Sequence, residues 1–250
     1  MYNDLFSIGP LTVHGYGLMV GVGIVAALLL SWRRAGQRGI PEGDVTNLAL
    51  LILVAGFVGA KAFFLLTCFD QVRDDPLRAL GSEGFVVYGA LVFGLAALWF
   101  WCRRRREGMT VWTDLVVPGL ALAQGFGRIG CFLAGCCYGA PTGSALGVVF
   151  PAGSLAPAGI PLWPSQLFSS AGDFLLAGAL LLFERRKPRK GAVTGLYLLL
   201  YGAGRFAVEF FRADPRGAVG PLSTSQFISL FFMAGGAALL LLRLDKERVK

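Results

Sequence analysis

Seven apolar runs, each close to the length that crosses a bilayer, dominate this chain: about 12–30, 46–69, 85–101, 114–135, 167–183, 191–211 and 222–242. A hydrocarbon core about 30 Å thick takes roughly 20 residues of helix, and a helix satisfies its own backbone hydrogen bonds where no water is present. The expected fold is therefore an all-α membrane protein of seven transmembrane helices, a single domain over residues 1–250. The fifth run, QLFSSAGDFLLAGALLLF, is short and carries Asp173, which makes it the weakest of the seven. A hydrophobic fraction of 55% against 15% charged residues places the chain in the same class. No internal repeat or low-complexity tract breaks it up.

The basic residues set the direction of threading. Of 23 Lys and Arg, 16 follow runs one, three, five and seven, in the blocks WRRAGQR, CRRRRE, ERRKPRK and RLDKERVK. Arg73, Arg78, Arg212 and Arg216 are alone in the alternate connections, and the segment before the first run has none. Cytoplasmic loops carry the excess of Lys and Arg, so the N-terminus is expected outside and the C-terminus in the cytoplasm. The same pattern accounts for the +8 net charge without a nucleic-acid partner, which would need those blocks gathered on one soluble surface. The start, MYNDLFSIGP, lacks the basic opening of a cleavable signal, so the first span is expected to be retained. The longest connection, 136–165, has no Lys or Arg and belongs outside. Its Gly and Pro content predicts an irregular outer loop or flap, with ALGVVF as a short strand.

Three basic residues lie inside runs: Lys61, Arg128 and Arg205, with Glu209 one turn beyond Arg205. An ionisable side chain there costs about 2.5–3.5 kcal/mol or more near the bilayer centre and faces a polar cavity. Snorkelling accounts for Lys61 as simply as a site does. Arg205 and Glu209 have the i,i+4 spacing of a helical ion pair. Arg128 has no acid within a turn or two along the chain. The threading places Arg128 and Arg205 in the outer halves of runs four and six. It places His14 and Tyr16 of VHGYG at the outer end of run one, and Tyr88 of FVVYGALVFG at that of run three. Polar groups from separate runs are thus expected at one level. Two guanidinium groups, whose planar forks bind phosphate bidentately, point to a pocket for an anionic lipid headgroup.

The stretch QGFGRIGCFLAGCCYG, residues 124–139, holds five glycines and three cysteines around Arg128. Gly127, Arg128, Cys131 and Gly135 fall near one helical face, and Gly202, Arg205, Glu209 and Arg212 form a second stripe. Such small residues commonly mark packing seams.

Together HGYG at 14–17, GFGRIG…AGCCYG, PSQLF at 164–168 and GAVTGLYLLLYGAGRFAVEFFRADPRG at 191–217 resemble the bacterial phosphatidylglycerol–prolipoprotein diacylglyceryl transferases over nearly the whole chain. The resemblance implies a multi-pass protein of the bacterial inner membrane whose active site faces the outer leaflet. It implies transfer of a diacylglyceryl group from phosphatidylglycerol to the lipobox cysteine in the signal peptide of a preprolipoprotein. A thioether forms and glycerol phosphate leaves, with no cofactor and no metal. Arg128 and Arg205 match the family's essential arginines, Tyr16 an important tyrosine, Gly130, Gly135 and Gly139 its signature glycines, and Gln166 its PSQ loop. Glu209 would orient Arg205, and Lys61 joins the substrate-binding set.

This sequence departs from the pattern at three places. Tyr88 stands where the family usually has histidine, Cys131 where it has asparagine and Cys136 where it has glutamate. Tyr88 and His14, the one histidine, are then the candidate catalytic partners of the arginines. The thiol proton would go to His14 or to the leaving phosphate. Cys131, Cys136 and Cys137 read as apolar filler, as a Cys131–Cys136 disulfide, or as a metal site with His14, although CxxxxCC fits no standard zinc pattern. A diverged family member with another acceptor, a membrane thiol–disulfide protein, and a lipid-binding protein without chemistry are the alternatives.

Overall fold

The computed structural model describes residues 4–9, 11–69, 73, 75, 80, 84–213 and 217–241. Arg78, Arg216 and the basic block from Arg243 onward lie outside the described residues. Seven helices run in chain order among them: α1 (Gly15–Gln37), α2 (Glu42–Thr67), α3 (Val87–Arg105), α4 (Met109–Ala134), α5 (Ser165–Glu184), α6 (Ala192–Glu209) and α7 (Thr224–Leu241). Five of them, α1, α2, α4, α5 and α7, are long and apolar enough to cross a membrane. The short fifth run, for all its aspartate, is one of these. The two outside that set, α3 and α6, carry charged residues in their last turns.

The chain is all-helical in its framework, as expected, and three short antiparallel hairpins accompany the helices. β1 (Asp4–Ile8) pairs with β2 (Leu11–His14), β3 (Val148–Val149) with β4 (Pro161–Leu162), and β5 (Ala218–Val219) with β6 (Leu222–Ser223). Hydropathy reports how apolar a stretch is and not its period, so LTVH merged into the first run. Thr12, Val13 and His14 are strand, and α1 begins at Gly15. Segment 136–165 is more than an irregular flap: Phe150, Ala156 and Leu162 form a small buried core, with Phe132, Tyr138 and Val148 packed on it.

The chain forms two compact units, residues 32–112 and the remainder. Within residues 32–112, α2 and α3 meet backbone to backbone, since a Cβ on Gly59 would stand 2.4 Å from the Gly89 carbonyl oxygen. Arg105 at the end of α3 forks onto the Asp44 carboxylate near the start of α2.

In the other unit α4, α5 and α6 share a core of Val117, Ala121, Leu176, Ala177, Leu180, Val193 and Tyr197. The start of α6 is fastened by a neighbour. Buried Asp114, in the second turn of α4, accepts hydrogen bonds from Gly191 N at 2.6 Å and Thr194 N at 2.7 Å. Those backbone donors have no partner within their own helix, and a carboxylate also suits the positive end of the helix dipole. This clamp sets depth. Arg128 stands 14 residues after Asp114, and Arg205 stands 14 after Gly191, about 21 Å of helix in each case. Two helices fastened start to start therefore deliver both guanidinium groups to the same level.

Candidate active site

At that level α4, α5 and α6 enclose a cleft of about 260 Å³ lined by Arg128, Ser169, Asp173, Tyr201, Gly204 and Arg205, with the remaining wall mostly apolar. Both arginines singled out in the sequence face one cavity. Arg205 is tightly held: Nη1 pairs with Glu209 Oε2 at 2.7 Å across one helical turn, and Nη2 donates to Ser225 Oγ at 2.7 Å at the start of α7. The Arg205 and Glu209 side chains are 14% and 7% exposed, so water screens their attraction little.

Arg128, with no acid within two turns on its own helix, finds one on α5. Asp173 on α5 is buried and lies within electrostatic reach of both Arg128 and Arg205. Tyr201 also acts on Arg128 and stacks on Tyr197, with ring centroids 5.5 Å apart. Tyr197 in turn donates its hydroxyl to Gln124 Oε1 at 3.0 Å. Asp173, Tyr201 and Ser225 were not assigned to the site from sequence. The aspartate inside the fifth run was the available signal, because a charge within an apolar span seeks a partner there.

Tyr16 at the start of α1 reaches the other side of α4. A Cβ on Gly130 would be 3.1 Å from the Tyr16 carbonyl oxygen, so glycine is what lets α1 approach there. Tyr16 lies within electrostatic reach of Arg128 and of all three clustered cysteines. Gly135 takes φ 76 beyond the end of α4, a left-handed conformation that only glycine adopts without strain. Gly139 is wedged between Trp163 and Phe211, where a Cβ would come within 2.4 Å of the Trp163 carbonyl oxygen. Gln166 is buried and donates Nε2 to the Cys136 carbonyl at 2.7 Å, while Ser165 Oγ donates to that of Cys137 at 2.9 Å. The signature glycines and the PSQ loop thus shape the chain end that carries Arg128.

His14, at the end of β2, is exposed, with Nδ1 2.7 Å from the Asp4 carboxylate. Tyr88 opens α3 in the other unit and is exposed. Lys61, also in that unit, is buried on α2 with Nζ 5.0 and 5.2 Å from the ring centres of Phe64 and Phe85. All five cysteines are free, so the Cys131–Cys136 disulfide is not formed. Cys137 has its thiol pulled below the ordinary value by hydrogen bonds from Cys131 and Cys136, with Arg212 adding to the effect.

The model of one protein family, prolipoprotein diacylglyceryl transferase, matches residues 3–242. The chain belongs to that family. It is 48% identical over 232 residues to phosphatidylglycerol–prolipoprotein diacylglyceryl transferase 2 of Clostridium perfringens, covering 92% of this chain and 90% of that protein. The Clostridium tetani phosphatidylglycerol–prolipoprotein diacylglyceryl transferase is 46% identical over 229 residues, covering 91% and 92%. The protein of that name from Gloeobacter violaceus is 33% identical over 242 residues, covering 93% and 89%. With its apolar helices, membership makes this a multi-pass membrane protein.

Proposed function

We propose that the chain transfers the diacylglyceryl group of phosphatidylglycerol to the lipobox cysteine of a prolipoprotein signal peptide, at the outer leaflet of the bacterial inner membrane, with its N-terminus outside. The observation that carries this reading is the placement of Arg128 and Arg205 on one cleft in a chain of this family.

The chemistry needs such a cleft. A thiolate sulfur attacks the glycerol carbon that carries the phosphate ester. A carbon–sulfur bond forms, the carbon–oxygen bond breaks, and its electron pair stays on the phosphate oxygen. A diester of one negative charge becomes glycerol phosphate with a second. Guanidinium groups placed in advance around the phosphate gain most when that charge grows, which lowers the barrier. Glu209 and Ser225 hold Arg205 in its orientation, and Asp173 keeps both guanidinium groups at the cleft wall. Tyr16 donates a hydrogen bond to the headgroup, and the dense Gly130–Gly139 turn fixes the end of α4.

The thiolate is the nucleophile, so the incoming thiol must lose a proton. We assign that proton to His14. With Nδ1 held by Asp4, the imidazole offers Nε2 as acceptor, the arrangement of an oriented general base. The leaving phosphate is the alternative acceptor, and replacement of His14 distinguishes the two.

The test is direct. Purified protein in mixed micelles receives phosphatidylglycerol labelled in its diacylglyceryl part and a lipobox peptide. Peptide carrying the label through a thioether, stable to base treatment that strips esters, is the expected product. Intact peptide beside an active control from a relative would refute the assignment.

A further inference from the structure

The turn of three cysteines beyond Arg128 has a specific geometry. Gly135 and Cys137 both take left-handed backbone, with φ 76 and 59. The chain therefore doubles back on the end of α4: Cys136 N donates to the Cys131 carbonyl at 3.1 Å. The three Sγ atoms end within 4.8 Å of one another. Left-handed backbone costs a non-glycine residue about 1–2 kcal/mol, and Ser165 and Gln166, each 1% exposed, hold this turn by its carbonyls. Spacing along the chain offers no metal pattern. Two reversals of backbone hand supply what the spacing lacks.

We propose that Cys131, Cys136 and Cys137 bind one thiophilic cation, Zn²⁺ or Cu⁺, in a three-sulfur site at the end of α4. Sulfurs around such an ion stand about 4 Å apart for a metal–sulfur bond of about 2.3 Å, a spacing that side-chain rotation reaches from the one observed. Soft thiolates select these two ions over hard cations. The ion replaces the thiol protons, which pass to solvent. The negative charge gathered there has cations beside it: Arg212 hydrogen-bonds the Cys137 thiol, and Arg128 acts on Cys131. His14 is not in the cluster, whose mutually close ligand atoms come from the three cysteines alone among the described residues. A bound ion locks the turn that follows Arg128, whatever reaction the cleft performs.

The full chain, purified in detergent, stripped with chelator and reduced with a phosphine, is titrated with Zn²⁺ and with Cu⁺ in separate arms, each against a chromophoric competitor. One equivalent is expected in at least one arm, with Cys131, Cys136 and Cys137 protected from alkylation and Cys68 not. Cys131→Ser and Cys137→Ala each weaken binding at least about tenfold, while the Cys68→Ser/Cys102→Ser double variant retains it. If the cluster variants fail to fold, alkylation of the wild-type chain decides alone. Absence of binding in both arms, binding unchanged in Cys131→Ser, or full alkylation of the trio at saturating metal would overturn the site. A Cys131–Cys136 disulfide in protein isolated without reductant would overturn it too.

Discussion

Lys61 and Arg205 are both cations on helices, the first buried and the second half-buried, and their surroundings differ. Lys61, in the α2–α3 unit, has its ammonium over the rings of Phe64 and Phe85. Arg205 faces a cleft, with one edge of its guanidinium on Glu209 and another on Ser225. Arg128 and Asp173 share that cleft. Aromatic faces hold a cation where it is, at about 0.5–2 kcal/mol. A cavity with two guanidinium forks on its wall is built for something that arrives. A charge in a membrane helix is therefore not a site by itself; what it faces decides.

Substitutions graded by expected effect break or sharpen that contrast. Arg128→Ala and Arg205→Ala remove charge stabilisation at the leaving phosphate, and each lowers kcat for thioether formation by about 10²–10³-fold, with helix content unchanged by circular dichroism. Equal losses from Lys61→Ala would erase the distinction between the two units. His14→Gln lowers kcat by about 10²-fold, the lower end for loss of a general base. An unaltered kcat would transfer the proton to the leaving phosphate. Glu209→Gln keeps the shape but not the charge beside Arg205, with kcat down about tenfold and little change in KM, for loss of about 1.4 kcal/mol. Smallest is Lys61→Met, expected within about threefold of wild type, since an apolar chain of similar length fills the space between the rings.

Much of this was legible in the sequence, and for identifiable reasons. Apolar length marked the helices, including α5 despite Asp173. Arg128, Arg205 and Glu209 stood out because charge inside an apolar run is costly. The Arg205–Glu209 pair was readable as an i,i+4 contact, which is local. Asp173 beside Arg128 was not, because that pairing joins α4 to α5 and depends on how the two helices pack. The hairpin at LTVH was hidden because a strand and a helix are equally apolar there. The three cysteines stood out in the sequence, but the convergence of their sulfurs did not, because left-handed φ at Cys137 leaves no trace in residue spacing. Tyr16 and the glycines were marked by family resemblance, and structure adds what the glycines do: they admit the Tyr16 backbone at Gly130 and the Trp163 carbonyl at Gly139.

One distance tests the central claim, that two guanidinium groups meet a single lipid phosphate. Solid-state NMR on protein with labelled arginine, in bilayers of phosphatidylglycerol, reads the separation between guanidinium carbon and lipid phosphorus. Two guanidinium carbons within about 4–5 Å of phosphorus, the reach of bidentate hydrogen bonds, are predicted, one signal vanishing in Arg128→Lys and the other in Arg205→Lys. A phosphorus signal close to arginine that neither substitution alters would contradict the account.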